Sequence, residues 1–313
     1  MKIAMMGSGG VGGYFGARLA AAGHDVTFIA RGAHLAAMKR DGLKVMSAEH
    51  GDVTVKPVQA TDDPGTLGVL DVAIIAVKLW DTEAAGRAVL PMIGPGTLVI
   101  SLQNGIEAEE TLTPIVGAEH LAGGAAFIAS AIEAPGVIKH IGTIQRIVVG
   151  ELGGDHGGGI TPRITGFAEA CREAGIDAEA SGDITRILWE KFVFLCGLSG
   201  TTTMLEKTAG PIREDSVSRR LLADIMAEVA AVGRAKGIQL PADFVEGRLE
   251  FFDGLPPEMT SSTHHDLDRG NRLEIPWLAG AVVRLGDELG VEVPANRKVC
   301  QALEPHIMGR ATP

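Results

Sequence analysis

The chain has 313 residues, 46% of them apolar and 21% charged, which is enough to bury a sizeable core in about two domains of ordinary size. Three scattered cysteines exclude a disulfide framework or a cysteine-based zinc scaffold. A net charge of −11 excludes a general nucleic-acid or anionic-membrane binder, because either surface calls for a dominant basic patch, so any bound phosphate must be held locally.

From the amino terminus to about residue 181, short apolar runs at 2–6, 25–30, 71–77 and 97–102 alternate with helical segments, the pattern of a parallel sheet covered by helices. Extended runs at 125–131, 137–141 and 145–149 follow with short connections and predict an antiparallel edge to that sheet. A glycine-rich stretch at 153–159 reads as a flexible connection rather than a phosphate loop, since no helix opening on a Lys-Ser/Thr pair follows it. Beyond residue 182 the periodicity is helical, with helices predicted at 183–205, 213–236, 241–252, 262–269, 275–289 and 295–307. The expected organisation is therefore a dinucleotide-binding domain over 1–182 and a helical domain over 183–313, with a ligand in the cleft between them. No apolar run approaches the ~18 residues of a membrane helix and the first residues do not read as a signal peptide, so a soluble cytoplasmic protein is expected.

Glycine is in excess, 42 residues or about 13% against a usual ~7%, and part of that excess has a place. Directly after the first predicted strand stands Gly7-Ser8-Gly9-Gly10-Val11-Gly12, the G-x-G-x-x-G spacing, running into a helix predicted over 13–22. In that context the first glycine allows the tight turn, the second lets backbone approach a pyrophosphate, and the third lets helix pack on strand. An NAD site places an acid at the end of the second strand for the ribose 2′-hydroxyl; here Val26-Thr27-Phe28-Ile29 runs into Ala30-Arg31-Gly32. The missing acid and the guanidinium of Arg31 favour a 2′-phosphate, hence NADP(H). Lys78 and Asn104 follow two further strands at the end where such sheets bind ligands. Each either faces the cofactor or serves locally, Lys78 as a solvated charge and Asn104 as a turn former.

In the first helix of the second half, Lys191 falls on one face with Ile184, Ile187, Leu188 and Leu195, interrupting an apolar stripe. The ammonium either points into a cleft, where desolvation would bring it toward the range of a general acid, or snorkels to water. The segment from Ser261 to Pro276 is unusually polar between apolar helices. His264, His265 and Asp266 do not form a metal site, because adjacent histidines do not share a helix face and no second ligand cluster accompanies them.

Arg31, Lys78, Gln103-Asn104-Gly105, Leu188-Trp189-Glu190-Lys191, and Ser262 through Asp266 to Glu274 occur in that order. With this set the chain resembles the 2-dehydropantoate 2-reductase (ketopantoate reductase) family over essentially its whole length. The resemblance implies a Rossmann-type domain, then a helical domain like that of 6-phosphogluconate dehydrogenase relatives, and NADPH-dependent reduction of 2-dehydropantoate to (R)-pantoate on the way to pantothenate and coenzyme A. It implies Lys191 as the acid that protonates the carbonyl oxygen, and Asn104 orienting that oxygen beside the nicotinamide. Glu274 would hold the substrate hydroxyl or couple to Lys191 while bordering the cofactor, and Ser262 would bind the carboxylate. Partners are then a small 2-oxo acid and no nucleic acid or membrane, in a monomer or homodimer. Where family members carry asparagines along the substrate pocket, this chain has Leu195, Ser199, Ala209 and Met259. Of these, Ser199 is still able to bind substrate through its hydroxyl. The drier pocket leaves a more apolar 2-oxo acid open as substrate; a fold alone does not guarantee function, so an NADPH-binding sensor without turnover is the other alternative, against which the retained Lys191 and Glu274 argue.

Overall fold

The computed structural model describes residues 1–153 and 159–310, so the glycine-rich connection expected at 153–159 lies almost wholly outside the described residues. The chain divides into two compact units, the first Met1–Asn104 with Ala108–Ile187, the second Gly105–Glu107 with Leu188–Pro313. The chain is built as a Rossmann-like α/β unit followed by a helical one, and among the described residues no helix is long and apolar enough to cross a membrane.

The first unit holds one sheet of ten strands: β1 (Lys2–Met6), β2 (Asp25–Ile29), β3 (Leu43–Met46), β4 (Val53–Val55), β5 (Gln59–Thr61), β6 (Val72–Ile75), β7 (Leu98–Ser101), β8 (Leu121–Ala134), β9 (Val137–Glu151) and β10 (Asp177–Ala180). The order is β4-β3-β9-β8-β7-β6-β1-β2-β5, with β10 on β9 beyond the reach of β3. From β8 to β5 every pairing is parallel. The helices are α1 (Gly10–Ala21), α2 (Gly32–Asp41), α3 (Thr82–Val89), α4 (Ala108–Val116) and α5 (Pro162–Glu173).

Period-two alternation explains why the central strands are apolar on both faces. Ile3, Met5, Phe28, Val72, Ile74 and Ile100 point into one core, against Tyr14 and Phe15 of α1 and Ile164 and Phe167 of α5. Ala4, Met6, Ile29, Ala73, Ile75 and Val99 point into a second core, against Ala85 and Val89 of α3 and Leu112 and Val116 of α4.

Two expectations change. The three extended runs read after residue 125 are two long antiparallel strands, β8 and β9, and they lie inside the strand order rather than at its edge. Four strands, β3, β4, β5 and β10, had no sequence signal, because each has only three or four residues and its conformation is imposed by its neighbours.

The second unit contains no strand among the described residues. It is formed by most of α6 (Ile184–Leu205), α7 (Ala209–Glu214), α8 (Ser216–Ala235), α9 (Phe244–Asp253), α10 (Ser262–Asp268), α11 (Ala279–Leu289) and α12 (Pro294–Leu303). The helix expected over 213–236 is broken at Asp215, whose side chain accepts from the Val217 amide and caps α8. The helix expected over 275–289 starts as a single 3-10 turn containing Pro276, and α11 follows it. Glu228 of α8 accepts the Ala295 and Asn296 amides at 2.7 and 2.9 Å, satisfying the free donors at the start of α12.

Two histidines fasten the first unit, His34 at its glycine loop and His140 between β9 and the segment after β3. His34 Nδ1 accepts the Gly136 amide at 3.1 Å, which leaves Nε2 as the protonated nitrogen, donating to the Ser8 carbonyl at 2.9 Å. His140 is buried, with Nδ1 at 3.0 Å from Ser47 Oγ and Nε2 at 3.0 Å from the Ile144 carbonyl. Burial pushes both imidazoles below the ordinary range, more than the bonds to the Ser8 and Ile144 carbonyls raise them. The folded state therefore binds these protons less readily than the unfolded chain. Their contribution to stability is complete above the ordinary imidazole pKa and is lost as pH falls from there through the lowered folded values. Urea midpoints should accordingly drop over that window, and His34→Gln should flatten the drop; a midpoint that holds steady there in the parent protein contradicts the arrangement. At neutral pH, His34→Ala is expected to cost about 1–2 kcal/mol for two backbone partners lost.

Candidate active site

The carboxyl ends of β1, β2, β6 and β7 carry the glycine loop, Arg31, Lys78 and Asn104 of the expected cofactor residues, while Glu274 lies in the helical unit. Gly7 sits at φ +99°, a conformation that side chains rarely adopt, and a Cβ there would lie 2.7 Å from the Ala76 carbonyl oxygen at the end of β6. A Cβ on Gly12 would lie 2.0 Å from the Gly7 oxygen, so helix and strand approach through bare backbone. At Gly10 it would meet the Ser130 carbonyl oxygen of β8 at 2.2 Å, whereas at Gly9 it would meet nothing within 4 Å. The loop is therefore packed from behind and open at Gly9.

The helix begins three residues earlier than expected, at Gly10, so the second half of the fingerprint already belongs to α1. Gly9 is its N-cap, provides no side-chain acceptor, and the first turn holds no acid. The amides of that turn and the positive end of the helix dipole are thus left for an anion, which fits a pyrophosphate. Ser8 is buried and its Oγ donates to the Ile29 carbonyl at 3.0 Å, so its side chain is committed to β2. Val11 is half-buried and packs against the core, leaving its amide as the group able to meet a ligand.

The Gly7 amide donates to the same Ile29 oxygen at 3.3 Å, which ties the glycine loop to the end of β2. Arg31 follows two residues later, at the N-cap of α2. It is exposed, and its guanidinium makes no hydrogen bond or ion pair with any described residue. A solvent-facing fork with no internal partner beside the loop fits a 2′-phosphate.

Lys78 is half-buried just after β6, with Nζ 5.9 Å from the centre of the Trp80 ring. Asn104 is half-buried after β7, and its amide makes no hydrogen bond with any described residue. Gly105, at φ +84°, makes the turn that follows. The neighbour that holds this corner is Gln103. Its Nε2 donates to the Val77 carbonyl at 3.0 Å and to Thr82 Oγ1 at 2.8 Å, while its Oε1 accepts from Ser101 Oγ at 3.2 Å. Periodicity and composition do not indicate His34 at all, and they give no role to Gln103 within Gln103-Asn104-Gly105, because the partners of both lie far along the chain.

In the helical unit the buried stripe of α6 runs Leu188, Phe192, Cys196, Ser199 and Thr203. Lys191 lies beside that stripe on a half-open face with Phe194, Leu195 and Leu198, not within the packed stripe that the sequence pattern suggested. Ser199, a candidate for substrate contact, is fully buried, and its Oγ has no hydrogen-bond partner among the described residues. Glu274 is a buried carboxylate, 7% exposed, at the head of the 3-10 turn Ile275–Trp277, where its carbonyl accepts the Trp277 amide.

Ser262 is exposed at the first position of α10. The residue that fixes it is Ser261, whose Oγ accepts the His264 amide at 3.1 Å and stands 3.0 Å from Thr202 Oγ1, which itself donates to the Leu198 carbonyl. This chain of hydroxyls pins the start of α10 to α6. Ala209 is fully buried, and its amide donates to the Met259 carbonyl at 2.9 Å, so two of the four altered pocket positions are joined through backbone. Among the described residues no group of three or more His, Cys, Asp or Glu side chains could hold a metal.

Comparison with known proteins gives the same picture over the whole chain. Residues 3–154 match the family model "Ketopantoate reductase PanE/ApbA" and residues 183–306 match "Ketopantoate reductase PanE/ApbA C terminal". The chain is 31% identical over 306 residues to "Uncharacterized oxidoreductase YkpB" of Bacillus subtilis, covering 97% of this chain and 98% of that one. It is 30% identical to a 2-dehydropantoate 2-reductase of Nostoc sp., covering 94% and 91%. A solved 2-dehydropantoate 2-reductase of Geobacter metallireducens superposes with a TM-score of 0.90 at 33% identity, covering 97% and 99%. On these matches the chain belongs to the ketopantoate reductase family of NAD(P)-dependent oxidoreductases acting on CH–OH groups.

Proposed function

We propose that this protein reduces the ketone of 2-dehydropantoate to the hydroxyl of (R)-pantoate with NADPH. The observation that carries the reading is the half-buried Lys191, set among Phe194, Leu195 and Leu198 on α6, in a chain of this family. When bound, NADPH supplies the hydride that reaches C2 of the substrate. Negative charge then develops on the carbonyl oxygen, and Lys191 Nζ donates the proton that neutralises it. The apolar neighbours of Lys191 keep bulk water from screening that interaction, so the cation acts more strongly there than it would in solution.

Asn104 offers an amide with no internal partner to orient the same oxygen and the nicotinamide edge. Glu274 holds the substrate hydroxyl or couples to Lys191, and it borders the cofactor. Ser262 presents its exposed hydroxyl to the carboxylate. For the cofactor, the Gly9 opening and the first-turn amides of α1 receive the pyrophosphate, Arg31 receives the 2′-phosphate, and Lys78 adds charge beside them. Residues 1–182 and 183–313 are the corresponding functional domains.

A second reading keeps this chemistry and changes the substrate. Leu195 and Met259 are half-buried members of the helical core and Ala209 is wholly buried, so the positions where amides would recognise a substrate hydroxyl are apolar. A 2-oxo acid with a more apolar side chain fits that lining.

A panel of 2-oxo acids assayed by loss of NADPH absorbance should show 2-dehydropantoate with the highest kcat/KM, and Lys191→Ala should lower kcat by about two to four orders of magnitude. A preference for an apolar 2-oxo acid selects the second reading, and no turnover of any acid overturns both. Separately, Arg31→Asp should raise the KM for NADPH by about tenfold or more while barely changing that for NADH; equal losses for the two cofactors contradict the phosphate role.

A further inference from the structure

Arg248, on α9, is a further guanidinium whose position calls for an anion. Four of its surroundings are unusual together. Its Cζ stands 5.3 Å from the Phe244 ring centre and 5.7 Å from that of Phe251, so two rings flank the guanidinium. Its Nε is buried without a hydrogen-bond partner, and the guanidinium makes no hydrogen bond or ion pair with any described residue. Arg18, Arg146, Arg213 and Arg272 also bury an Nε that makes no hydrogen bond, yet the first three each anchor a terminal nitrogen on a carbonyl or carboxylate, and Arg272, stacked on Trp277, is not free of other partners. Finally, α9 is rich in acids that leave Arg248 alone. Glu246 and Glu250 stand two residues to either side, on other faces of the helix, and Asp253 pairs with Arg219 at 2.7 Å.

The rings also connect Arg248 with the half-open face of α6. Phe251 is 44% exposed and packs edge-on against Phe194, with ring centres 5.2 Å apart. Phe194 is one helical turn from Lys191 on that face. Thus a partly desolvated guanidinium, flanked by aromatic rings, connects through Phe251 to Phe194 on the half-open face of α6 that carries Lys191. In the proposed reaction Lys191 serves the carbonyl oxygen, and Ser262 brings only a neutral donor to a carboxylate carrying a full charge.

We propose that Arg248 binds the carboxylate of the 2-oxo acid, making it a substrate-binding and specificity residue. This rests on the 2-oxo acid reductase reading. The rings restrict the fork before binding, so less side-chain freedom is lost when the two parallel N–H donors meet the carboxylate, and a neutral analogue has nothing to offer them.

The test compares the parent protein, Arg248→Met and Arg248→Lys with 2-dehydropantoate and with the amide of the same acid. Arg248→Met should raise the KM for the acid by about tenfold or more with kcat changed less than about threefold, and Arg248→Lys should recover part of the loss. The amide should show the same KM in all three proteins. An unchanged KM for the acid, or equal losses for acid and amide, overturns the proposal, since a role confined to packing treats both alike. Calorimetric binding of the acid to the NADPH-loaded proteins reads the same contrast without turnover. Failure of the reductase reading, seen as no NADPH oxidation by the parent protein, is thereby separable from failure of the Arg248 assignment. If Arg248→Met melts early, Arg248→Lys, which keeps stem and charge, carries the comparison, and acid binding by it equal to that of the parent overturns the bidentate role.

Discussion

The approach of Gly12 to the Gly7 carbonyl, where a Cβ would come within 2.0 Å, sets how closely α1 can lie on β1. That closeness brings the uncapped first turn of the helix to the carboxyl end of the sheet, where Ala76 closes on Gly7 and Ile29 accepts both the Gly7 amide and the Ser8 hydroxyl. The loop is thereby fastened to β6 on one side and β2 on the other, and His34 adds a third tie to Gly136 in the turn between β8 and β9. An anion site made of backbone amides works only if those amides are held still and left uncapped. In this chain the bare glycines supply both conditions.

A protein of net charge −11 must attract a polyanionic cofactor and an acidic substrate against its own field, which surface salt screens only beyond about 8–10 Å. Most arginines described here are spent internally, Arg163 on Glu151, Arg219 on Asp253 and Arg284 on Glu107 among them. Arg31 and Arg248 are not, and they stand in different units, one beside the glycine loop and the other beside the aromatic rings that reach the Lys191 face. Local, unspent cations are how an acidic protein binds anions without a basic surface.

The sequence made legible those features whose determinants are contiguous. The glycine fingerprint, the four apolar central strands and the absent acid at Arg31 all lie within short windows, and the structure sets the strands side by side as β7-β6-β1-β2 with the fingerprint and Arg31 just after β1 and β2. Features set by distant partners were not legible. His34 and Gln103 matter through the carbonyls of Ser8 and Val77 and the amide of Gly136, none of which composition or periodicity indicates. The start of α1 was read late because glycine is a poor helix former, and packing overrides that preference here. The Ser262 segment was noticed for its polarity, yet the hydroxyl that builds the local structure is that of Ser261, through Thr202 on a helix about sixty residues earlier. Phe244 and Phe251 flank Arg248 on its own helix, a spacing that also reads as an ordinary helix face, and the ring of Phe194 that links it to α6 comes from a distant segment.

The central claim is that this chain delivers a hydride from NADPH to C2 of a 2-oxo acid while Lys191 protonates the oxygen. NADPH deuterated at the transferable position of the nicotinamide, incubated with the protein and 2-dehydropantoate, tests it directly by mass spectrometry and NMR of the product. The account predicts pantoate of a single configuration carrying one deuterium at C2, formed by the parent protein and nearly lost in Lys191→Ala. Consumption of NADPH without deuterium at C2, or undiminished deuterated product from Lys191→Ala, contradicts it.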